Sequence, residues 1–373
     1  MTARRALTIA KVELGEEAIE TAVRVLRSGR LRQGDVCAEF EARFAAAVGA
    51  DHAVAVSSGT AALHLAWTAL LEPGDEVLVP AFSFVASASS VALAGGRPVF
   101  CDVSPDTGTI DLGDASKRIT ECTRGIAPVH LYGGACDITG VRRFADEHGL
   151  RVVWDCAQAH GTTVGDRDVG SLPDLCCYSF YPSKAMTTGE GGMITSSDRE
   201  LVGKLRLLRS HGQIERYLYA TIGYNYRLTD FQAALGIHEL KQLPRRLAAR
   251  RRNAACLSQL LSDMAGVQLP VALPGTEHAY HQYTVRIDSE RLGLSRDELQ
   301  RRLGRDGVET AVHYPKALHQ QPAFAAMAAG GSLARSEELA RSVLSLPVHH
   351  GLAEDDLIYV AQSLRRAVEN RGH

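Results

Sequence analysis

Long apolar runs are missing from this chain of 373 residues, and no segment is long enough to span a bilayer. A strong charge of either sign is missing too. The formal net charge is −2, so nothing global draws the molecule toward nucleic acid or membrane, and any recognition of phosphate must be local. The eight cysteines are scattered without a CxxC pair, which leaves no zinc spacing and no implied metal site. The chain is also too large to need a disulfide framework. Cys176 and Cys177 lie in an apolar run, where cysteine behaves as a small hydrophobe. No GxGxxG follows a strand, and GxxxxGK(S/T), HExxH and GxSxG do not occur. Near the N-terminus, Arg4 and Arg5 precede only a brief apolar stretch, Ala6 to Ala10. That is too short for a secretory core, and a cytoplasmic location is expected. The most informative scarcity is lysine, with six among 41 Lys and Arg residues.

What is present is a repeated strand–helix pattern. Apolar residues at helical spacing mark Gly15 to Ser28, Gly34 to Val48, Ala61 to Leu71 and Ile138 to His148. Short apolar runs mark strands at His52 to Val56, Glu76 to Val79, Arg97 to Asp102, Ile126 to Leu131, Val152 to Asp155 and Leu175 to Phe180. Such alternation predicts βαβ units around a largely parallel sheet, an α/β fold. A helix is expected from Thr229 to Leu243, interrupted by Pro244 and resumed from Leu247 to Met264, with Ser210 to Ile222 an irregular loop. From about residue 270 the order changes to an α+β texture. The expected division is a large α/β domain over 1–250, N-terminal segment included, and a small C-terminal α+β domain over 251–373.

Ligands in parallel sheets bind beyond the carboxyl ends of the strands. Thr60, Phe84, Asp155 and Lys184 all follow predicted strand ends. Arginine cannot give up its proton to attack an aldehyde, whereas a lysine in a site that depresses its pKa can. Lys184, in SFYPSK before TTGEGG, is therefore the candidate nucleophile, and Asp155 the acid that would keep a pyridine nitrogen protonated. That pair suits pyridoxal 5′-phosphate. The turn Ser57 to Thr60 opens a helix, whose free N–H groups and dipole suit an anion. The amides of Gly59 and Thr60, with the Ser179 hydroxyl, are candidates for the cofactor phosphate. Phe84 is placed to stack on the ring and Gln158 to reach its hydroxyl. The dense arginines after Pro244 read either as a solvated helix face or as a lining that attracts a phosphorylated substrate.

These stretches resemble the DegT/DnrJ/EryC1/StrS family of sugar and aminocyclitol aminotransferases. The likeness runs through SSGTAALHLA (57–66), PGDEVLVPAFSFVASASS (73–90), WDCAQAHG (154–161), SFYPSKAMTTGEGGMI (179–194), GYNYRLTDFQAALG (223–236), VHYPKALH (312–319) and LSLPVH (344–349). Ser210 stands where the family often has asparagine, and Cys156 departs from the usual acid-Asp-Ala-Ala-Gln; neither removes a group the chemistry needs. The resemblance implies the fold type I architecture of pyridoxal phosphate enzymes and a homodimer with shared active sites. It also implies Lys184 as the Schiff-base lysine and Asp155 on the pyridine nitrogen. Asn225 would reach the cofactor phosphate from the other subunit, and His313 and Tyr314 would contact substrate. Some relatives replace the lysine by histidine and act as dehydratases; Lys184 places this chain outside that branch. The expected activity is ping-pong transfer of an amino group from L-glutamate or L-glutamine to a keto-sugar, with nucleotide linkage favoured by the basic run. A keto-cyclitol acceptor is the alternative, and a non-catalytic, cofactor-binding regulator the second.

Overall fold

The computed structural model describes residues 6–328 and 331–369. Seven strands form its main sheet: β1 (His52–Val56), β2 (Glu76–Pro80), β3 (Arg97–Cys101), β4 (Thr123–Ile126), β5 (Arg151–Asp155), β6 (Leu175–Ser179) and β7 (Gly192–Ser196). Their order is β1-β7-β6-β5-β4-β2-β3. The pairs from β6 through β5, β4 and β2 to β3 are parallel, whereas β7 runs antiparallel to both β1 and β6. The fold is the expected α/β class, a mixed and mostly parallel sheet between helices.

Side-chain alternation builds a core on each face. Val153, Leu175, Cys177 and Ile194 join the helix Gly59–Leu70 in one apolar cluster. Trp154, Cys176, Tyr178 and Met193 join Phe40 and Phe44 of the helix Asp35–Val48 in another. Successive residues of a strand point to opposite faces, so a strand covered on both sides reads as a continuous apolar run. LCCYS is such a run, and its cysteines are packing atoms, as expected.

Three local expectations are corrected. The helix Asp230–Leu261 runs through Pro244 without interruption. Its Leu243 and Leu247 are anchored in the cluster around Trp154 and its Ala254, Leu257 and Leu261 in a third cluster, so burial on both sides of the proline outweighs the lost hydrogen bond. The fourth strand lies at Thr123–Ile126 rather than Ile126 to Leu131, because Pro128 has no N–H to donate and the chain turns into a 3₁₀ segment at Leu131–Gly133. Within the stretch expected to be irregular, Gln213–Glu215 pairs with Leu218–Tyr219 as a short hairpin arm.

Beyond the long helix, β8 (Val267–Gln268), β9 (Tyr283–Ile287) and β10 (Val343–Leu346) make a small antiparallel sheet. It shares its core with Leu299, Leu303, Leu357 and Leu364 of the flanking helices and with Leu7, which bridges Val308. Position 250 therefore lies inside a helix that serves both cores, and the N-terminal Leu7 packs with the C-terminal sheet. Among the described residues, no helix is long and apolar enough to cross a membrane.

Candidate active site

Asp155 is the last residue of β5, at the carboxyl end of the sheet, and is buried. Its Oδ2 accepts from the Ser87 hydroxyl at 2.8 Å and its Oδ1 from the Ala157 amide at 3.1 Å. Ser87 is itself within 2.8 Å of the Ser83 hydroxyl, so the carboxylate is held in one orientation. Burial raises the carboxyl above its usual range, against those two hydrogen bonds and the charge of Lys184. No buried cation is bonded to it among the described residues.

Lys184 sits on the loop between β6 and β7, in electrostatic reach of Asp155. Burial pushes its ammonium down to about 8, with the Asp155 charge opposing. Its side chain takes no hydrogen bond among the described residues. The loop itself is fixed. Thr188 N donates to the Phe180 carbonyl at 3.1 Å, the Thr187 hydroxyl to the same carbonyl at 2.8 Å, and Thr187 N to the Glu239 carboxylate at 3.1 Å. An amine that loses its proton easily is thus offered from a rigid loop, which is what attack on an aldehyde requires.

The turn expected to hold an anion lies against β6. Ser58 caps the helix, accepting from Ala61 N at 3.1 Å, and the helix begins at Gly59, two residues earlier than expected. The Gly59 and Thr60 N–H groups fall in the first turn, where no intrahelical partner exists. A Cβ on Gly59 would lie 2.6 Å from Cβ of Ser179, so glycine is required for the helix start to approach β6 so closely. Gly59, Thr60 and Ser179 therefore share one cradle. These residues fit pyridoxal phosphate: an easily deprotonated amine, a buried carboxyl lacking its cation, and unpaired amides beside a hydroxyl.

The family model for the DegT/DnrJ/EryC1/StrS aminotransferases matches residues 12–365. The chain is 39% identical over 94% of its length to a "pleiotropic regulatory protein" of Geobacillus stearothermophilus, covering 94% of that protein. It is 40% identical over 97% of its length to the dTDP-3-amino-3,4,6-trideoxy-alpha-D-glucose transaminase of Streptomyces venezuelae, covering 95% of it. A crystal structure of S. venezuelae DesV in complex with a ketimine intermediate superposes with a TM-score of 0.91 at 39% identity, over 95% of each chain. The chain belongs to the DegT/DnrJ/EryC1/StrS family.

It is a pyridoxal-phosphate-dependent aminotransferase. Of the remaining residues expected in its site, Gln158, Phe84, His313 and Tyr314 form one cluster. Gln158 has both ends of its amide engaged, Oε1 by Tyr132 N at 2.6 Å and Nε2 by the Tyr314 hydroxyl at 2.9 Å. Tyr314 in turn lies 5.9 Å, ring to ring, from Phe84, whose side chain is 51% exposed. Burial, and secondarily the Asp155 charge, raise the Tyr314 phenol. His313 is pushed down to about 4 by burial and then by Lys184, so its imidazole is neutral. Asn225 is exposed, its backbone bridges Ser210, and the carbonyl of the next residue, Tyr226, accepts from Ser57 N at 2.8 Å.

Sequence reading missed Ser87, Tyr132, His281 and Gln282. Ser87 lay in the quoted run AFSFVASASS, where its position one helical turn after Ser83 was the available signal. His281 is buried and held well below the ordinary imidazole value by burial, with Lys184 the next cause. Gln282 comes within 3.4 Å of His313. Both sit in the segment entering β9, and only the fold brings them to this end of the sheet.

Proposed function

We propose that this aminotransferase moves an amino group from L-glutamate or L-glutamine to the ketone of a nucleotide-linked sugar, in two alternating half-reactions, as a homodimer. The observation that carries the chemistry is the pairing of a lysine lowered to about 8 with a carboxyl oriented by Ser87. When bound, pyridoxal phosphate supplies an aldehyde for an amine and an electron-withdrawing ring for the substrate carbon.

Lys184 is the amine that holds the cofactor and, once released, takes a proton from the donor's α-carbon and returns one to the product carbon. Asp155 keeps the ring nitrogen protonated, and the cation it gains there offsets its burial. Gly59, Thr60 and Ser179 bind the phosphate, and Phe84 covers the ring. Neutral His313 and Tyr314 offer hydrogen bonds to the sugar. Asn225 of each copy reaches the phosphate held by the other, in keeping with its exposure in the single chain. The relative that acts on a dTDP-sugar supports nucleotide linkage.

Two measurements test this. Holoenzyme mixed with glutamate, or with glutamine, and no acceptor should release one equivalent of the matching 2-oxo acid per site from at least one of the two, since the first half-reaction needs no acceptor. A panel of nucleotide-linked keto-sugars and keto-cyclitols, read by product mass, then identifies the acceptor. No release without acceptor sinks the two-step scheme; amination of keto-cyclitols alone sinks the nucleotide-sugar reading.

A further inference from the structure

Three of the arginines after Pro244 are committed within the fold. Arg250 is buried and donates to the Tyr280 and His281 carbonyls at 3.1 and 3.2 Å. Arg251 donates to the His278 and Gly161 carbonyls at 3.1 and 2.8 Å. Arg246 has a different kind of partner. Its Nη2 donates to Glu239 Oε1 at 2.8 Å and to the Glu13 carbonyl at 2.7 Å, while its Nη1 pairs with Glu239 Oε2.

The Glu239 and Arg246 side chains are 2% and 11% exposed, so this is a buried, two-pronged ion pair. It joins residues seven positions apart, about two helical turns, on either side of Pro244. The proline has no N–H for the Leu240 carbonyl, and the pair spans that gap.

The same carboxylate reaches out of the helix. Glu239 Oε2 accepts from Thr187 N at 3.1 Å, three residues after Lys184. The Lys184 side chain has no hydrogen bond of its own among the described residues, so its place is set by its backbone. Among the described residues, every other hydrogen bond of residues 181–189 ends within 179–190. Burial of Ala185 and Met186 seats the loop on the core, but burial is non-directional. The bond to Glu239 supplies the direction.

We infer that Glu239 is a positioning residue for Lys184, with Arg246 holding its carboxylate toward the loop. The inference rests on the reading of Lys184 as the amine that holds the cofactor. A lysine that must leave the cofactor, move a proton and return has to occupy the same place each time. A misplacement of about 1 Å costs on the order of a hundredfold in rate.

The test sets reach against charge at position 239. The full chain, freed of cofactor, is mixed with pyridoxal phosphate and followed by the absorbance that borohydride bleaches. Glu239→Gln keeps an acceptor at the same reach without the charge, whereas Glu239→Asp keeps the charge and draws the acceptor back by one methylene. Glu239→Met with Arg246→Met replaces the pair by apolar groups of similar size, a change buried pairs often tolerate, and leaves Thr187 N without an acceptor. This double variant should capture the cofactor about tenfold or more slowly, the rate equivalent of one hydrogen bond to a charged group. Glu239→Asp should also be slow, and Glu239→Gln should lose least. In holoenzyme mixed with the amino donor, kcat should fall in the same order, with KM changed less. The two single variants decide the matter if the double variant does not fold. Capture at the parent rate by the double variant overturns the inference, and so does Glu239→Asp outpacing Glu239→Gln. A lowered urea midpoint with capture unslowed does the same, since Glu239 would then serve stability alone. If Lys184→Ala still yields bleachable absorbance, the lysine reading fails and takes this one with it. If Lys184→Ala yields none while every Glu239 variant captures at the parent rate, the positioning role fails and the lysine stands.

Discussion

Lys184 and Asp155 are each moved by burial toward the uncharged form, the amine to about 8 and the carboxyl upward. Neither shift alone makes chemistry; together they leave a nucleophile with a small deprotonation cost beside a carboxyl that gains from a cationic neighbour. Only the free amine attacks an aldehyde, and that form grows as pH rises through about 8. The rate at which cofactor-free protein takes up pyridoxal phosphate, followed by its absorbance, should therefore climb through pH 8 and level off above it. Lys184→Ala should leave no absorbance that borohydride bleaches. A rate independent of pH between 6.5 and 9 would show that Lys184 does not titrate as its surroundings dictate. The two residues were legible from the sequence because chemistry restricts their types. Ser87, which orients Asp155 from 68 positions away, was not, since a serine on a helix has many uses.

At the scale of elements, the helix Asp230–Leu261 does more than its sequence suggested. It carries Glu239 to the lysine loop, Arg250 to the turn before β9, and Gly236 against Phe40. A Cβ at Gly236 would lie 2.5 Å from the Phe40 ring, which is fully buried and packed edge-on against Phe44. Alanine there gains about 1 kcal/mol in helix propensity but overpacks a ring that has nowhere to go, at about 1–3 kcal/mol. Gly236→Ala should thus lower the urea midpoint of unfolding, by an amount equivalent to roughly 1 kcal/mol. A raised midpoint would mean that the helix shifts to absorb the methyl. The helix itself was read correctly on both sides of Pro244. Its continuity was not, because the residues that hold it straight lie on other elements.

For the whole molecule, the exposed arm is the notable surface. Ile214 is 57%, Tyr217 75%, Leu218 50% and Ile222 89% exposed, a concentration of apolar side chains expected where a second copy docks. Ile222→Asp should shift the mass measured by light scattering from dimer toward monomer and weaken cofactor binding. A monomeric parent protein would remove the shared site.

Acid stability is also a property of the whole. Burial pushes His130, His160 and His278 each from 6.5 to about 3. Between those values the unfolded chain takes up protons that the fold refuses, so stability falls as pH drops from 6.5. Asp168, raised by burial from 3.8 to about 6, opposes this over part of the range, since the folded state binds its proton first. Asp155, also raised, opposes in the same way, whereas His313 and His350, each lowered to about 4, and His281 act with the three histidines, so the histidines outnumber the carboxyls. The urea midpoint at pH 5 should lie below that at pH 7, and an equal or higher value would refute the balance.

Local chemistry and periodicity determined the fold class, the cofactor and its lysine–acid pair, because alternating burial and residue type act over a few positions. Tertiary structure decided which arginines are free. In the sequence, the run from Arg245 to Arg252 and the separate Arg32, Arg216 and Arg227 carry the same charge. Only packing shows that Arg246, Arg250 and Arg251 already have partners, whereas the scattered three line one cleft. A charge's availability depends on what folds against it, and that is set by residues far away in the chain.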